Sequence, residues 1–286
     1  MINTIFADVS WFEIWGPLWL VLVIGIGYLY NKHLVQSHEY EKDPKRTKLF
    51  YTGLVLFYLV HGSPFSVIAD HYLFSGLMLQ ASLTYFVIIP FFIIGLPFKW
   101  FKKYAWNHKL RLSIKVAGHP WLTLVLFNAI FSIYFLPGVF NVIHDSFILS
   151  FVTKAILFFY AFFMWWAIIN PVRRLNDLAP HIRIAYIFFA SVLLFPIGFY
   201  FIVVLQAHYP VYQATAGELL PGMTAVYDQQ LAGGILKLIQ LSSFIYAMFK
   251  IVQSWGQKEM EEGHPYDKNY RVVQGVVIHL DDKKKR

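Results

Sequence analysis

The chain has 286 residues, 58% of them hydrophobic and only 14% charged, with 28 Phe, no Cys and a formal net charge of +8. A soluble domain carries about a quarter charged residues, so a water-facing globule is excluded, and the same numbers exclude disorder. Without cysteine there can be no disulfide, zinc ribbon, iron–sulfur cluster, thiol nucleophile or thiolate copper site.

Seven apolar stretches follow one another, at about 14–30, 49–65, 72–97, 120–140, 147–169, 181–206 and 230–252. Roughly 20 helical residues cross a ~30 Å hydrocarbon layer, and all seven lie near or above the lower limit. The second is cut short at Gly62-Ser63-Pro64, and Pro90 inside the third predicts a kink or tilt. No alternating ten-residue pattern supports a β-barrel. No signal peptide is expected, since no basic region precedes a small-residue cleavage site. The fold class is an all-α polytopic membrane protein. Its seven-helix domain is expected over 1–255, and a polar cytoplasmic tail over 256–286.

The basic residues orient the spans. Segments 31–48, 98–118 and 170–183 and the stretch from 250 onward hold five, six, three and eight of the 24 Lys and Arg. The N-terminus and the loops 66–71, 141–146 and 207–229 hold none. Cytoplasmic loops are the basic ones, so the N-terminus is expected outside and the C-terminus in the cytoplasm. Trp11, Trp15, Trp19, Tyr51, Trp100 and Trp106 fall near span ends, where an aromatic belt sits. The closing Lys-Lys-Lys-Arg run reads as a tail attracted to membrane lipids, and nucleic acid is not an expected partner.

The outer side of this topology collects His61, Asp70, His71, His144, Asp145, His208, Glu218 and Asp228, and could attract cations. At the entry to span three, a continuous helix would put His71, Ser75 and Met78 on one face. An imidazole and a thioether there could hold a soft ion such as Cu(I). The simpler alternative is that Asp70 caps the helix and Met78 packs. Lys154 and Lys237 lie inside apolar stretches, where an ammonium faces the bundle or pairs. Each either snorkels to the outer surface or pairs with Asp70 or Asp228. The Gly233-Gly234 pair permits close helix approach, and Gln230, Gly233, Lys237 and Gln240 can line one inward face. Unsatisfied polar groups are costly in lipid, so the outer ends of spans two, three and seven are expected to converge, bringing His61, Asp70, His71 and Asp228 together. No phosphate-cradling loop, nucleophile elbow or HExxH helix occurs, and an enzyme is not expected.

Several segments carry a family resemblance. They are Gly62-Ser63-Pro64, Ala69-Asp70, Leu73-Phe74-Ser75-Gly76-Leu77-Met78-Leu79-Gln80, Gly95-Leu96-Pro97, His119-Pro120, Met164-Trp165-Trp166 and Asp228-Gln229-Gln230-Leu231-Ala232-Gly233-Gly234. Over about residues 10–250 the chain resembles the membrane assembly factors of caa3-type cytochrome c oxidase, the CtaG family. The resemblance implies a seven-span, non-enzymatic protein of the bacterial cell membrane with oxidase subunits as partners, which assists copper delivery or insertion. His71, Met78 and His61 are then the candidate copper ligands, with Asp70, Gln80, Lys154, Asp228, Gln229 and Lys237 as further functional residues. The family's span-three His positions correspond to Leu77 and Ala81, its span-four His to Phe135, and its span-five His pair to Ser150 and Lys154. A protonated Lys cannot coordinate a metal. Lys154 is therefore expected to point into the bundle and stand in for a cation, making the chain a metal-free scaffold. A transporter or channel for a small solute or cation is the alternative function.

Overall fold

The computed structural model describes residues 10–35, 43–97, 118–171, 178–262, 270–273 and 276–279. The basic stretch 98–117 with Trp100 and Trp106, the residues Arg173 and Arg174, and the closing Lys-Lys-Lys-Arg run lie outside the described residues. The helices are α1 (Trp11–Trp15), α2 (Pro17–Tyr30), α3 (Pro44–His61), α4 (Pro64–Val67), α5 (Phe74–Leu83), α6 (Ile89–Gly95) and α7 (Pro120–Tyr134). They continue as α8 (Pro137–His144), α9 (Phe147–Ile169), α10 (Pro180–Leu193), α11 (Phe195–Val203), α12 (Pro210–Ala214) and α13 (Ala225–Glu262). π-Helical turns occupy Asn31–Val35, Ile68–Tyr72 and Thr84–Ile88.

Five helical stretches are long and apolar enough to cross a membrane: Pro17–Val35, Phe74–Gly95, Phe147–Ile169, Pro180–Val203 and Ala225–Gln257. Two bent pairs complete the expected seven, α3 with the Pro64–Tyr72 segment at 47° and α7 with α8 at 81°. This is an all-α polytopic membrane protein. Helix α13 runs through residue 255 to Glu262, and β1 (Tyr270–Val273) then pairs antiparallel with β2 (Val276–His279), Tyr270 lying opposite His279.

One expectation needs correction. Residues 66–71 are helical, not a loop. Ser63 caps the new helix by accepting from the Phe65 N–H at 3.2 Å, and Pro64 takes its first turn.

A proline or a break frees backbone carbonyls that no water can reach inside a membrane, so other groups must satisfy them. Side chains from neighbouring spans do so here. Pro64 has no N–H to give the Val60 carbonyl, and Gln80 Nε2 donates to it instead. In the π-turn Ile89 N–H reaches Thr84 O, which shifts the pairing by one. The Tyr85 carbonyl would then need an N–H from residue 90, which is proline, and Trp165 Nε1 fills that place at 2.8 Å. At the α7–α8 break Val139 N–H turns to Leu136 O, and the Tyr209 hydroxyl donates to the Phe135 carbonyl. Between α10 and α11 the Gly198 N–H is 3.4 Å from Leu194 O, whereas Lys237 Nζ is 3.0 Å from it.

The core is aromatic. Phe74 stacks on Tyr209 with centroids 4.2 Å apart and meets Phe135, Phe140 and Phe201 edge-on, all of them fully or almost fully buried. This block lies under the end of the bundle that carries Asp70 and Asp228.

Candidate functional site

Helix α5 begins with no capping oxygen of its own, because Leu73 at its N-cap has none to offer. Asp228, in the first turn of α13, supplies the cap from another span. Its Oδ2 accepts from Phe74 N–H at 2.6 Å and its Oδ1 from Ser75 N–H at 3.1 Å. A carboxylate at a helix N-terminus is favoured by both the unpaired N–H groups and the dipole. Spans three and seven therefore meet at this end, as expected.

Asp70 sits one turn before the break at Leu73, which is extended (φ −130°, ψ 116°). Its Oδ1 lies 3.5 Å from Lys154 Nζ on α9. The expected pairing of Lys154 with a carboxylate is thus present, and Asp70 is the partner. Both side chains are about one-third exposed, 37% for Lys154 and 34% for Asp70. Around the pair stand Tyr134, Ser150 and the ring of His144, which stacks on Phe140 at 5.2 Å. The charges of Asp70 and Lys154 are close enough to act on His61 and His144.

Helix α12 closes this end from above. The Tyr212 hydroxyl donates to Ala69 O at 2.9 Å, and Thr215 Oγ1 to His71 O at 3.0 Å. Burial pushes the Tyr209 and Tyr212 hydroxyls above the usual phenol range, with the nearby Asp70 carboxylate adding to the effect at Tyr212. Both therefore stay protonated donors. Nothing in the sequence pattern marks Tyr209, Tyr212 or Trp165 as hydrogen-bond donors. For Tyr209 the one cue is its place beside Pro210, and it identifies no partner.

The face expected for His71, Ser75 and Met78 does not form. The chain breaks at Leu73, so His71 belongs to the preceding π-turn and is exposed, whereas Met78 is fully buried in the core. His61 Nε2 lies 2.9 Å from Thr84 Oγ1, between the rings of Trp19 and Phe57. His61, His71 and Met78 therefore lie in three different settings, beside Thr84, on the exposed π-turn and in the buried core. No group of three His, Asp or Glu side chains is placed to hold a metal ion among the described residues. Leu77 and Phe135, at two of the positions where the family resemblance implies His, are buried in the apolar core.

Lys237 pairs with neither Asp70 nor Asp228, and it does not snorkel toward them. Its Nζ donates to Leu194 O and to Gln240 Oε1, each at 3.0 Å. Gly198 makes room for its stem, since a Cβ there would lie 2.4 Å from Lys237 Cε. Gln230 donates to Val204 O at 2.9 Å. A Cβ on Gly233 would stand 2.8 Å from Phe201 Cβ and 2.9 Å from Gly198 O. Gln230, Gly233, Lys237 and Gln240 thus share the side of α13 that faces α10 and α11. Gln229 is fully buried, and neither atom of its amide finds a partner among the described residues.

Fold and site together define a multi-pass membrane protein with broken spans, cross-span backbone caps and one ion pair near the bundle end. Residues 26–258 match the family model for the cytochrome c oxidase caa3 assembly factor, Caa3_CtaG, and the chain belongs to that family. It is a multi-pass protein of the bacterial cell membrane. No curated protein and no solved structure matches it.

Proposed function

We propose that this chain is a non-catalytic scaffold for assembly of a caa3-type cytochrome c oxidase, working through contacts with oxidase subunits rather than by carrying copper. The observation that carries this reading is the 3.5 Å contact between Lys154 Nζ and Asp70 Oδ1. A protonated ammonium offers no lone pair to a metal, and a carboxylate beside it already has its counter-charge. Orientation completes the reading. The N-terminus and the Asp70–Asp228 end face outward, and the basic segments face the cytoplasm.

The test is deletion of the protein, followed by oxidase assay with and without added copper. A scaffold gives an oxidase defect that copper does not repair, and a purified protein with far less than one equivalent of copper. Repair by copper, or stoichiometric copper in the isolated protein, sinks the scaffold reading. The chain has no cysteine, so single-cysteine labelling reads orientation cleanly. A cysteine at Gly217 should react with an impermeant reagent in intact cells, and one at Lys115 should not.

A further inference from the structure

Between Asp228 and Lys250, α13 carries a single charged side chain, Lys237. Lys237 lies nine residues beyond Asp228, about 14 Å along the helix axis, and thirteen residues, about 20 Å, before Lys250. That is close to the middle of a ~30 Å hydrocarbon layer. Its ammonium does not climb toward the nearer surface. It reaches Leu194 O and Gln240 Oε1, and Gln240 lies one turn further from the Asp228 end.

Two neutral acceptors leave the charge itself without a counter-ion, and no carboxylate reaches it among the described residues. The side chain is half-buried at the seam of α11 and α13, with its Nζ 5.4 Å from the Phe195 ring centroid. The surface beside it is apolar and exposed: Phe195 and Phe199 on α11, Leu238 and Leu241 on α13. Gly234 leaves open space on the same helix, with nothing within 4 Å of a Cβ built there.

From this we infer that the α11–α13 seam is a docking site for a transmembrane helix of another protein, one that carries an Asp or Glu at mid-membrane depth to pair with Lys237. Lipid tails can cover the apolar part of the seam, but they offer no mid-depth anion. An intramembrane ammonium held by neutral acceptors alone gains further from a partner that brings an anion. The apolar residues then supply packing, and the charge pair fixes depth and orientation. The inference does not depend on the oxidase reading: the partner's identity tests that reading, and its acidic residue tests this one.

The experiment places a photo-cross-linking amino acid at Leu238 in the full-length protein in its native membrane, with Ile148 on α9 as the control position. The expected result is a cross-link at 238 to a membrane protein whose matching span contains an Asp or Glu. Lys237→Gln keeps a donor for Leu194 O and removes the charge, and it should lower that cross-link about tenfold or more. Lys237→Arg should retain it. Neutralising the partner's acid leaves this chain intact and should reproduce the loss. Exchanging the two charges, with Lys237→Asp here and Lys at the partner's position, should restore the cross-link. Labelling of lipid alone, a partner span without an acid, or an undiminished cross-link in Lys237→Gln overturns the inference.

Discussion

The two lysines inside the apolar spans solve the same problem in opposite ways. Lys154 meets a carboxylate, Asp70, near the end of the bundle, 3.5 Å away and with both side chains about one-third exposed. Lys237 meets no carboxylate among the described residues and gives its donors to the Leu194 carbonyl at a helix break and to the Gln240 amide oxygen. Asp228, Gln80 and Trp165 resemble Lys237 in this respect, since each satisfies backbone groups of another span. Polar side chains that hold backbone are needed to keep the fold. A charge pair that holds only itself is free to serve something else. The comparison thus separates side chains that hold the backbone of another span, among which Lys237 also keeps a charge without a counter-ion, from a charge pair that holds only itself.

The largest stability effect should come from Asp228, which carries two charge-assisted backbone bonds. Asp228→Ala is expected to destabilise the protein by about 2–3 kcal/mol, because the first N–H groups of α5 lose their only cap. Asp228→Asn keeps an acceptor and should lose about half as much. Unfolding in mixed micelles measures both, and equal, negligible losses would put Asp228 in the same class as the Asp70 pair.

The seam of α11 and α13 gives the next effect. Gly233→Ala drives a methyl group against Phe201 Cβ and the Gly198 carbonyl, and backbone cannot yield as a side-chain tip can. The expected loss is about 1–3 kcal/mol. Gly234→Ala, one residue on, meets nothing within 4 Å and should be neutral or slightly stabilising. A similar cost at both positions would show that the seam is not the close contact described.

Much of this was readable in the sequence, and its limits are physical. Seven apolar stretches were visible because span length follows from membrane thickness. The Gly233 approach followed from its small side chain. The Lys154 partnership with Asp70 was one of two readings left open by the cost of an intramembrane ammonium, snorkelling being the other. What stayed hidden were the places where the chain breaks. Ser63-Pro64 reads equally well as the end of one helix or the start of the next, and only the cap geometry decides. A break at Leu73 has no proline or glycine to mark it, so His71 and Met78 looked like one face. The donors that repair breaks come from distant spans, such as Trp165 for Tyr85, and no local pattern connects them.

Tyr212 brings the comparison to a smaller scale. Its hydroxyl is a buried donor to Ala69 O, on the segment that carries Asp70. Tyr212→Phe keeps the ring in the aromatic core and removes one hydrogen bond. The expected loss is about 1 kcal/mol, read by the same unfolding assay. Hydrogen exchange at the backbone of residues 68–73 should rise with it. A change in stability without that local opening would mean that Tyr212 acts only through its ring.

The smallest stability effect is expected at the Asp70–Lys154 pair, where the two lysines part company most clearly. Both partners are about one-third exposed and 3.5 Å apart, and Lys154 is only seven residues into α9, about 10 Å along its axis. Partly exposed ion pairs contribute below about 1 kcal/mol, so Lys154→Met and Asp70→Asn should each shift stability by less than that. Their effect on the amount of assembled oxidase should be larger. The double variant should assemble no worse than either single one, because residues acting as a unit are not additive. Lys237→Met should differ in costing measurable stability, because the Leu194 carbonyl is then left with only the long Gly198 N–H contact of 3.4 Å. If Lys154→Met is instead silent in both stability and assembly, the pair is an ordinary surface contact, and the scaffold must work through some other part of the bundle.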